Sequence, residues 1–274
     1  LAFIRHFTSN DGRRWRDAGS TNIPGWSGNA VIHENKLRLY YTNKGVTEQR
    51  IEVAIDKGDG KGLRPRAASV LDPMAPHTKK AAQALGYHTG AGDGYVMAWR
   101  DPYVYEHGGK WHMLFAAKAE INGKVVPAVG HAESKDLRKW TLKAPQVPTR
   151  GVSDEPMLAG QIELPVSITR YGRQYLFMSH SEEVKGNWQR STKAFMRKND
   201  SDSWTPVGGK DGTIIAPSKG IYGFNILPDP KRPGEFLVHG FYNEGPRKMQ
   251  PTRLQPLRWR GLRPVVEFQG TFQR

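Results

Sequence analysis

The sequence predicts an all-β fold: a five-bladed β-propeller whose first blade lacks its inner strands within these 274 residues. Three observations carry that prediction. Four segments read as two short strands about a tight turn, and the unit recurs roughly every 60–70 residues. A second motif, an aspartate four residues ahead of a tryptophan, recurs at Asp11/Trp15, Asp136/Trp140 and Asp200/Trp204. Glycine (30 residues) and proline (19) are spread along the whole chain, which suits many turns and leaves little helical signal.

The hairpins fall at residues 30–42, 102–115, 166–178 and 224–238. Each is a β-rich run, a polar or glycine turn such as Gly108-Gly109, and a run of alternating aromatic and aliphatic residues. The Asp-to-Trp segments read as tight turns leading into an outer strand, with the tryptophan packed between sheets. Hairpin, linker, turn and outer strand make a unit of about four strands, the blade of a propeller. Ahead of the first hairpin stand only residues 2–7 and the Asp11/Trp15 turn. They read as the outer part of a further blade, so blade one is expected to be completed by another segment or chain, because unpaired strand edges invite pairing. Pro264 to Phe268 is a candidate closing strand, and Thr78 to Leu85 holds good helix formers for two turns. Residues 57–95 and 146–160 read as loops. No boundary is visible, so residues 1–274 read as a single propeller domain: blades two to five plus the outer part of blade one.

Composition excludes several classes. With no cysteine there are no disulfides and no thiolate metal sites. The formal charge of +15 raises nucleic acid as a partner, but the Lys and Arg stand in ones and twos, as in Lys79-Lys80 and Arg247-Lys248, so a solvated cationic surface is the better reading. No apolar run reaches the roughly 18 residues of a membrane span. No signal peptide is visible, and Leu1 points to a processed or truncated chain. The histidines show no metal spacing; His6, His33, His107 and His112 read as surface or strand residues. No compact Asp cluster of EF-hand type is present. No cofactor is expected; calcium is left open, though no residues indicate it.

The residues at the start of each hairpin carry the chemistry. They are Gly25-Trp26-Ser27-Gly28, Trp99-Arg100-Asp101-Pro102, Gln161-Ile162-Glu163-Leu164-Pro165 and Gly220-Ile221-Tyr222-Gly223. In a propeller these positions converge on one axial pocket, here with two acids, an arginine, an amide and two aromatics. Aromatics suit sugar faces; carboxylates and arginine suit hydroxyls. Two carboxylates are also the minimum for glycosidic chemistry.

The Trp-Ser-Gly, Arg-Asp-Pro and Ile-Glu-x-Pro motifs, in this order, resemble glycoside hydrolase family 68, the levansucrases and inulosucrases, and are similar to the related families 32 and 43. Gly220 to Phe224 and the Ser179-His180 pair favour the family 68 branch. The resemblance implies a retaining, secreted or periplasmic bacterial enzyme acting on sucrose or another β-fructoside, as hydrolase or fructosyltransferase. It implies Asp101 as transition-state stabiliser and Glu163 as general acid/base. Arg100 would hold substrate beside Asp101, Trp26 would wall the fructose pocket and Ser27 would contact the nucleophile. Gln161 stands where that family often has an acid, and His180 and Tyr222 would lie in sugar subsites. Two departures stand out. The family's nucleophile lies in a Trp-Asp motif absent here, so it is expected from a missing N-terminal segment or a shorter second chain, giving a heterodimer. Leu164 replaces an arginine usual in that family. The residues alone leave open a propeller glycosidase of other specificity, such as an arabinofuranosidase, and a non-catalytic carbohydrate-binding propeller.

Overall fold

A computed structural model describes residues 3–266, apart from 12–13, 44, 46–47, 57, 59–61, 91–97, 151–154, 201, 217–220 and 243–249. Met97, Gly220, Glu267 and Phe268 therefore lie outside the described residues.

In chain order, β1 (Phe3–Thr8) pairs with β2 (Arg16–Pro24). Next come β3 (Gly28–His33), β4 (Lys36–Asn43), β5 (Arg50–Asp56) and β6 (Arg64–Pro65), an antiparallel meander. The helix α1 (Pro76–Ala84) follows, at the place its helix formers mark. A second meander is β7 (Trp99–His107), β8 (Lys110–Ile121), β9 (Lys124–Ser134) and β10 (Thr141–Gln146). The short β11 (Thr149–Arg150) and β12 (Glu155–Pro156) pair with each other. A third meander is β13 (Gln161–Arg170), β14 (Arg173–Val184) and β15 (Asn187–Arg197), whose far edge takes β16 (Thr205–Pro206) and β17 (Thr213–Ile215). The fourth is β18 (Ile221–Pro228), β19 (Phe236–Tyr242) and β20 (Gln255–Pro256). Last, β21 (Arg258–Arg260) pairs with β22 (Arg263–Val265).

The fold is thus all-β, with four blades of the β-propeller kind, each built on one of the hairpins legible in the sequence. A fifth is not among the described residues. The candidate closing strand pairs locally, Trp259 opposite Pro264, in a two-stranded ribbon. The tight turns explain the hairpins. Glu34-Asn35, Gly108-Gly109, Asn122-Gly123, Tyr171-Gly172 and Lys185-Gly186 all have positive φ at both central residues, the turn whose twist matches paired strands.

Two of the Asp-to-Trp turns form as expected. Asp136 Oδ1 accepts the N–H groups of Arg138 and Lys139 at 2.8 and 3.0 Å, and these bonds hold its carboxyl below the usual range. Asp11 Oδ1 accepts the Arg14 N–H at 2.9 Å. The third turn differs: Asp202, not Asp200, takes the Asn199 N–H at 2.9 Å, while Asp200 binds Arg197. Trp140 packs edge-on against Tyr40 at 5.8 Å and Trp204 lies under Arg197 at 4.4 Å, so both serve packing.

By contacts the chain groups into two compact units where the sequence marks no boundary. Unit 1 comprises residues 1–7, 17–147 and 162–165; unit 2 comprises 8–16, 148–161 and 166–274. The core of unit 1 gathers Tyr40, Val53, Tyr87, Trp99, Met113 and Phe115, all nearly inaccessible. In unit 2, Tyr175 meets Trp259 edge-on at 4.7 Å and Phe177 meets Phe224 at 5.6 Å. The centres of β8 and β14 are continuous apolar runs covered on both faces, as expected of strands with no solvent side.

Candidate active site

Within unit 1 the start of β7 is held by side chains of the preceding blade. Asn29 on β3 accepts the Val104 N–H at 2.8 Å and donates to the Val104 carbonyl at 3.2 Å. The fully buried Gln49 accepts the Trp99 N–H at 3.1 Å. Thr42 on β4 accepts the Asp101 N–H at 2.8 Å. These bonds satisfy buried backbone donors that the β7–β8 ladder leaves open. The ladder shifts register between Arg100 and Tyr103, a bulge at Pro102, which has no N–H to offer. Asp101 sits at φ +58°, a left-handed conformation that costs a non-glycine residue about 1–3 kcal/mol and collects at functional sites.

The bulge turns the Asp101 carboxylate into a prepared nest. Asp101 and Arg100 are only 4% and 3% exposed, so each charge needs partners. The Ser27 hydroxyl donates to Asp101 Oδ1. The Leu164 N–H donates to Oδ2 at 3.1 Å, and Arg100 Nε lies 3.6 Å from the same oxygen. Arg100 also reaches Glu163, Nη2 to Oε1 at 3.2 Å. One guanidinium therefore joins the two carboxylates that the sequence singles out. Glu163 keeps 24% of its side chain open to solvent.

The Gly25-Trp26-Ser27-Gly28 stretch lies flat on β4. A Cβ on Gly28 would sit 1.9 Å from the Tyr40 carbonyl oxygen, and one on Gly25 would sit 2.6 Å from the Tyr41 ring. This close approach lets the Trp26 N–H bond the Thr42 carbonyl at 2.8 Å and leaves the Trp26 side chain 40% exposed rather than in the core.

Three other predicted residues belong to unit 2. Gln161 is half-buried at the start of β13. His180 is 2% exposed, and its Nε2 meets the Ala159 carbonyl at 2.7 Å; burial lowers its pKa, so it donates there as a neutral ring. Tyr222 is half-buried on β18, with the Arg190 guanidinium over its ring at 5.3 Å.

Sequence reasoning missed Thr42, Gln49, Asn29 and the Leu164 N–H, which act through hydrogen bonds that no motif announces. It also put Asp101 and Glu163 at equivalent blade positions. The structure offsets them by one. Leu164 has φ +53° and precedes Pro165, as Asp101 has φ +58° and precedes Pro102, so Leu164 matches Asp101 and Glu163 matches Arg100. A surface cleft of about 770 Å³ lies elsewhere in unit 1, lined by α1 residues Lys79 and Gln83 with Tyr87, His88, Glu120 and Asn122; neither acid lines it.

Residues 4–205 match the family described as Glycosyl hydrolases family 32 N-terminal domain, one of the two relatives of family 68 named above. The sucrose-6-phosphate hydrolase of Bacillus subtilis (strain 168) is 28% identical over 152 residues, 52% of this chain and 28% of that protein. The structure of sucrose-6-phosphate hydrolase from Lactobacillus gasseri aligns at TM-score 0.68 and 17% identity over 94% of this chain and 53% of its own. Bacillus subtilis levansucrase aligns at TM-score 0.64 and 15% identity over 97% of this chain and 78% of its own. The chain spans about half the length or less of the two hydrolases, and the structural likeness shows the fold.

Proposed function

Since the chain belongs to the glycosyl hydrolases family 32 N-terminal domain family, we propose that it forms the core of a retaining enzyme acting on sucrose-type β-fructofuranosides, by hydrolysis or by fructosyl transfer in the manner of family 68. One observation supports this above the rest: Arg100 contacts both Asp101 and Glu163 within one partly closed cluster.

The geometry supports a division of roles. Both Asp101 oxygens are engaged, Oδ1 by Ser27 and Oδ2 by the Leu164 N–H with Arg100 beside it. A carboxylate held in this way is a fixed negative charge rather than a mobile nucleophile. It suits a stabiliser of positive charge developing at the fructosyl anomeric carbon, and it needs no reorganisation during the reaction. Glu163 has one oxygen near Arg100 and part of its side chain in solvent, where a proton can be delivered and recovered. In the proposal it protonates the leaving glycosidic oxygen and then deprotonates water or an acceptor sugar. Arg100 orients both groups, and exposed Trp26 offers an apolar face to the sugar. Gln161, His180 and Tyr222 are proposed to shape the outer subsites, with His180 ordering the 159–161 backbone through Ala159. The nucleophilic aspartate is proposed to come from outside these residues, on an adjoining segment or a second chain, and a bacterial secreted or periplasmic setting is proposed for the whole.

The test is to supply the chain with its upstream polypeptide and follow glucose and fructose release from sucrose and from sucrose 6-phosphate. Equal release marks hydrolysis; glucose in excess marks transfer. Glu163→Gln is expected to lower kcat/KM by about 10²–10⁴-fold. No release, or a Glu163→Gln variant equal to its parent, overturns the proposal.

A further inference from the structure

Strand pairing brings His112 together with two ligand-type side chains of the next strand, His131 and Glu133. β8 and β9 pair with His112 opposite Glu133 and Leu114 opposite His131, so His112, His131 and Glu133 share one face of the sheet. One ligand atom from each lies within 4.8 Å of the other two. The group sits at the end of the β7–β8 hairpin away from Asp101 and plays no part in the chemistry above.

Three features make this more than a chance meeting of polar groups. His112 Nδ1 stands 3.0 Å from His131 Nε2. Two nitrogens on a tetrahedral zinc, each at about 2.0–2.1 Å, would be roughly 3.3 Å apart, so the pair is nearly at coordinating separation. The other nitrogen of His112, Nε2, lies 3.2 Å from the His107 carbonyl oxygen, to which it donates. That bond puts the lone pair on Nδ1, the atom facing His131, and a backbone carbonyl is a common outer partner of a metal-bound histidine. The ring is further fixed by Tyr105, which stacks on it at 5.3 Å. Tyr87 steadies the strand by accepting the His131 N–H at 3.0 Å. Burial raises the Glu133 pKa, but Lys143 and Lys110 outweigh it and hold the carboxylate ionised.

We propose that His112, His131 and Glu133 form a binding site for a divalent late first-row transition metal, with zinc as the reference ion. The imidazole-rich set suits zinc, nickel or copper and disfavours calcium and magnesium. Three protein ligands leave a fourth position for water. In the metal-free pair one shared proton bridges Nδ1 and Nε2; the metal takes its place, and His131 then carries that proton on Nδ1, so both rings stay neutral. Lys143 and Lys110 lie 3.3 and 3.4 Å from Glu133 and compete with the ion, but their side chains are 43% and 50% exposed and free to swing into solvent.

The test is zinc titration of the untagged, chelator-treated full chain by calorimetry, with cobalt as a spectroscopic substitute. One ion per chain is expected, with Kd near 10⁻⁶ M (about −8 kcal/mol) or tighter, and visible absorption of four-coordinate cobalt. His131→Asn and His112→Gln are each expected to weaken zinc by about 100-fold, and Glu133→Gln by about 10-fold, the range for lost metal-site interactions. Lys143→Ala is expected to tighten it and His33→Ala to leave it unchanged. Circular dichroism of each variant separates lost ligation from lost folding, and the cobalt spectrum of the parent does not depend on any variant. Zinc binding weaker than about 10⁻⁴ M, or unaltered in folded His131→Asn, overturns the proposal.

Discussion

Trp99-Arg100-Asp101-Pro102 and Ile162-Glu163-Leu164-Pro165 share a backbone device and differ in what it presents. Each puts a left-handed non-glycine residue directly before a proline, a combination the proline ring disfavours. At β7 the strained residue is the acid itself, so the kink turns a carboxylate inward, where Ser27 and Arg100 meet it. At β13 the strained residue is Leu164, and what turns inward is its N–H, which donates to Asp101. The acid of that stretch, Glu163, stands one position earlier, where β7 has Arg100, and the two make an ion pair. The same kink thus fixes an acceptor in one blade and a donor in the next. The pair closes because cation and anion, acceptor and donor, fall at matching positions.

Three substitutions probe how far the two stretches depend on each other. The largest effect is expected from Arg100→Met, which removes the cation common to both. It leaves Asp101 buried without its charge partner, so a loss of about 3–5 kcal/mol is expected in denaturant unfolding. A loss under about 1 kcal/mol would mean that the stretches are held separately. Next, Thr42→Val strands the Asp101 N–H while keeping the shape. A cost of about 1–3 kcal/mol is expected, and Thr42→Ser should recover most of it. The smallest effect is expected from Leu164→Gly. The glycine relieves the positive φ, offsetting the apolar contact it gives up, and it keeps the N–H that serves Asp101. Stability within about 1 kcal/mol of the parent is expected, with sucrose turnover little changed. A collapse of activity there would show that the leucine side chain, and not its backbone, supports Asp101.

Three of the four hairpins were legible because their turns are short: Glu34-Asn35, Gly108-Gly109 and Tyr171-Gly172 take the positive φ that the twist requires, while the fourth has the longer connection between Pro228 and Phe236. Asp101 and Glu163 stood out because each comes just ahead of a proline at the start of a strand, Asp101 by one residue and Glu163 by two. Their offset did not, since which residue of the tripeptide becomes left-handed is decided by the partner strand and not by the letters. Thr42, Asn29 and Gln49 were equally silent, because each bonds backbone more than 45 residues away, at |i−j| of 59, 75 and 50. The third Asp-to-Trp turn misled because Asp200, which has the spacing, is claimed by the Arg197 guanidinium, while Asp202, two residues before Trp204, takes the Asn199 N–H. His112 looked like an ordinary surface or strand residue, and nothing in the motifs singled out His131. Counting outward from the Asn122-Gly123 turn would have put His112 opposite Glu133 and found the cluster.

The reach of the two kinked stretches also bears on how unit 1 is completed as the chain is made. Ser27, Thr42, Arg100 and Asp101 leave the ribosome well before the last members of the cluster, because the Arg100–Glu163 and Asp101–Leu164 bonds each span 63 residues. At about 5–20 residues per second that interval is roughly 3–13 s, far longer than the microseconds a hairpin needs to form. The β3–β6 and β7–β10 meanders have time to fold while Asp101 still lacks the Leu164 N–H. Insertion of residues 162–165 is then a late step, and Glu163 comes into place with it.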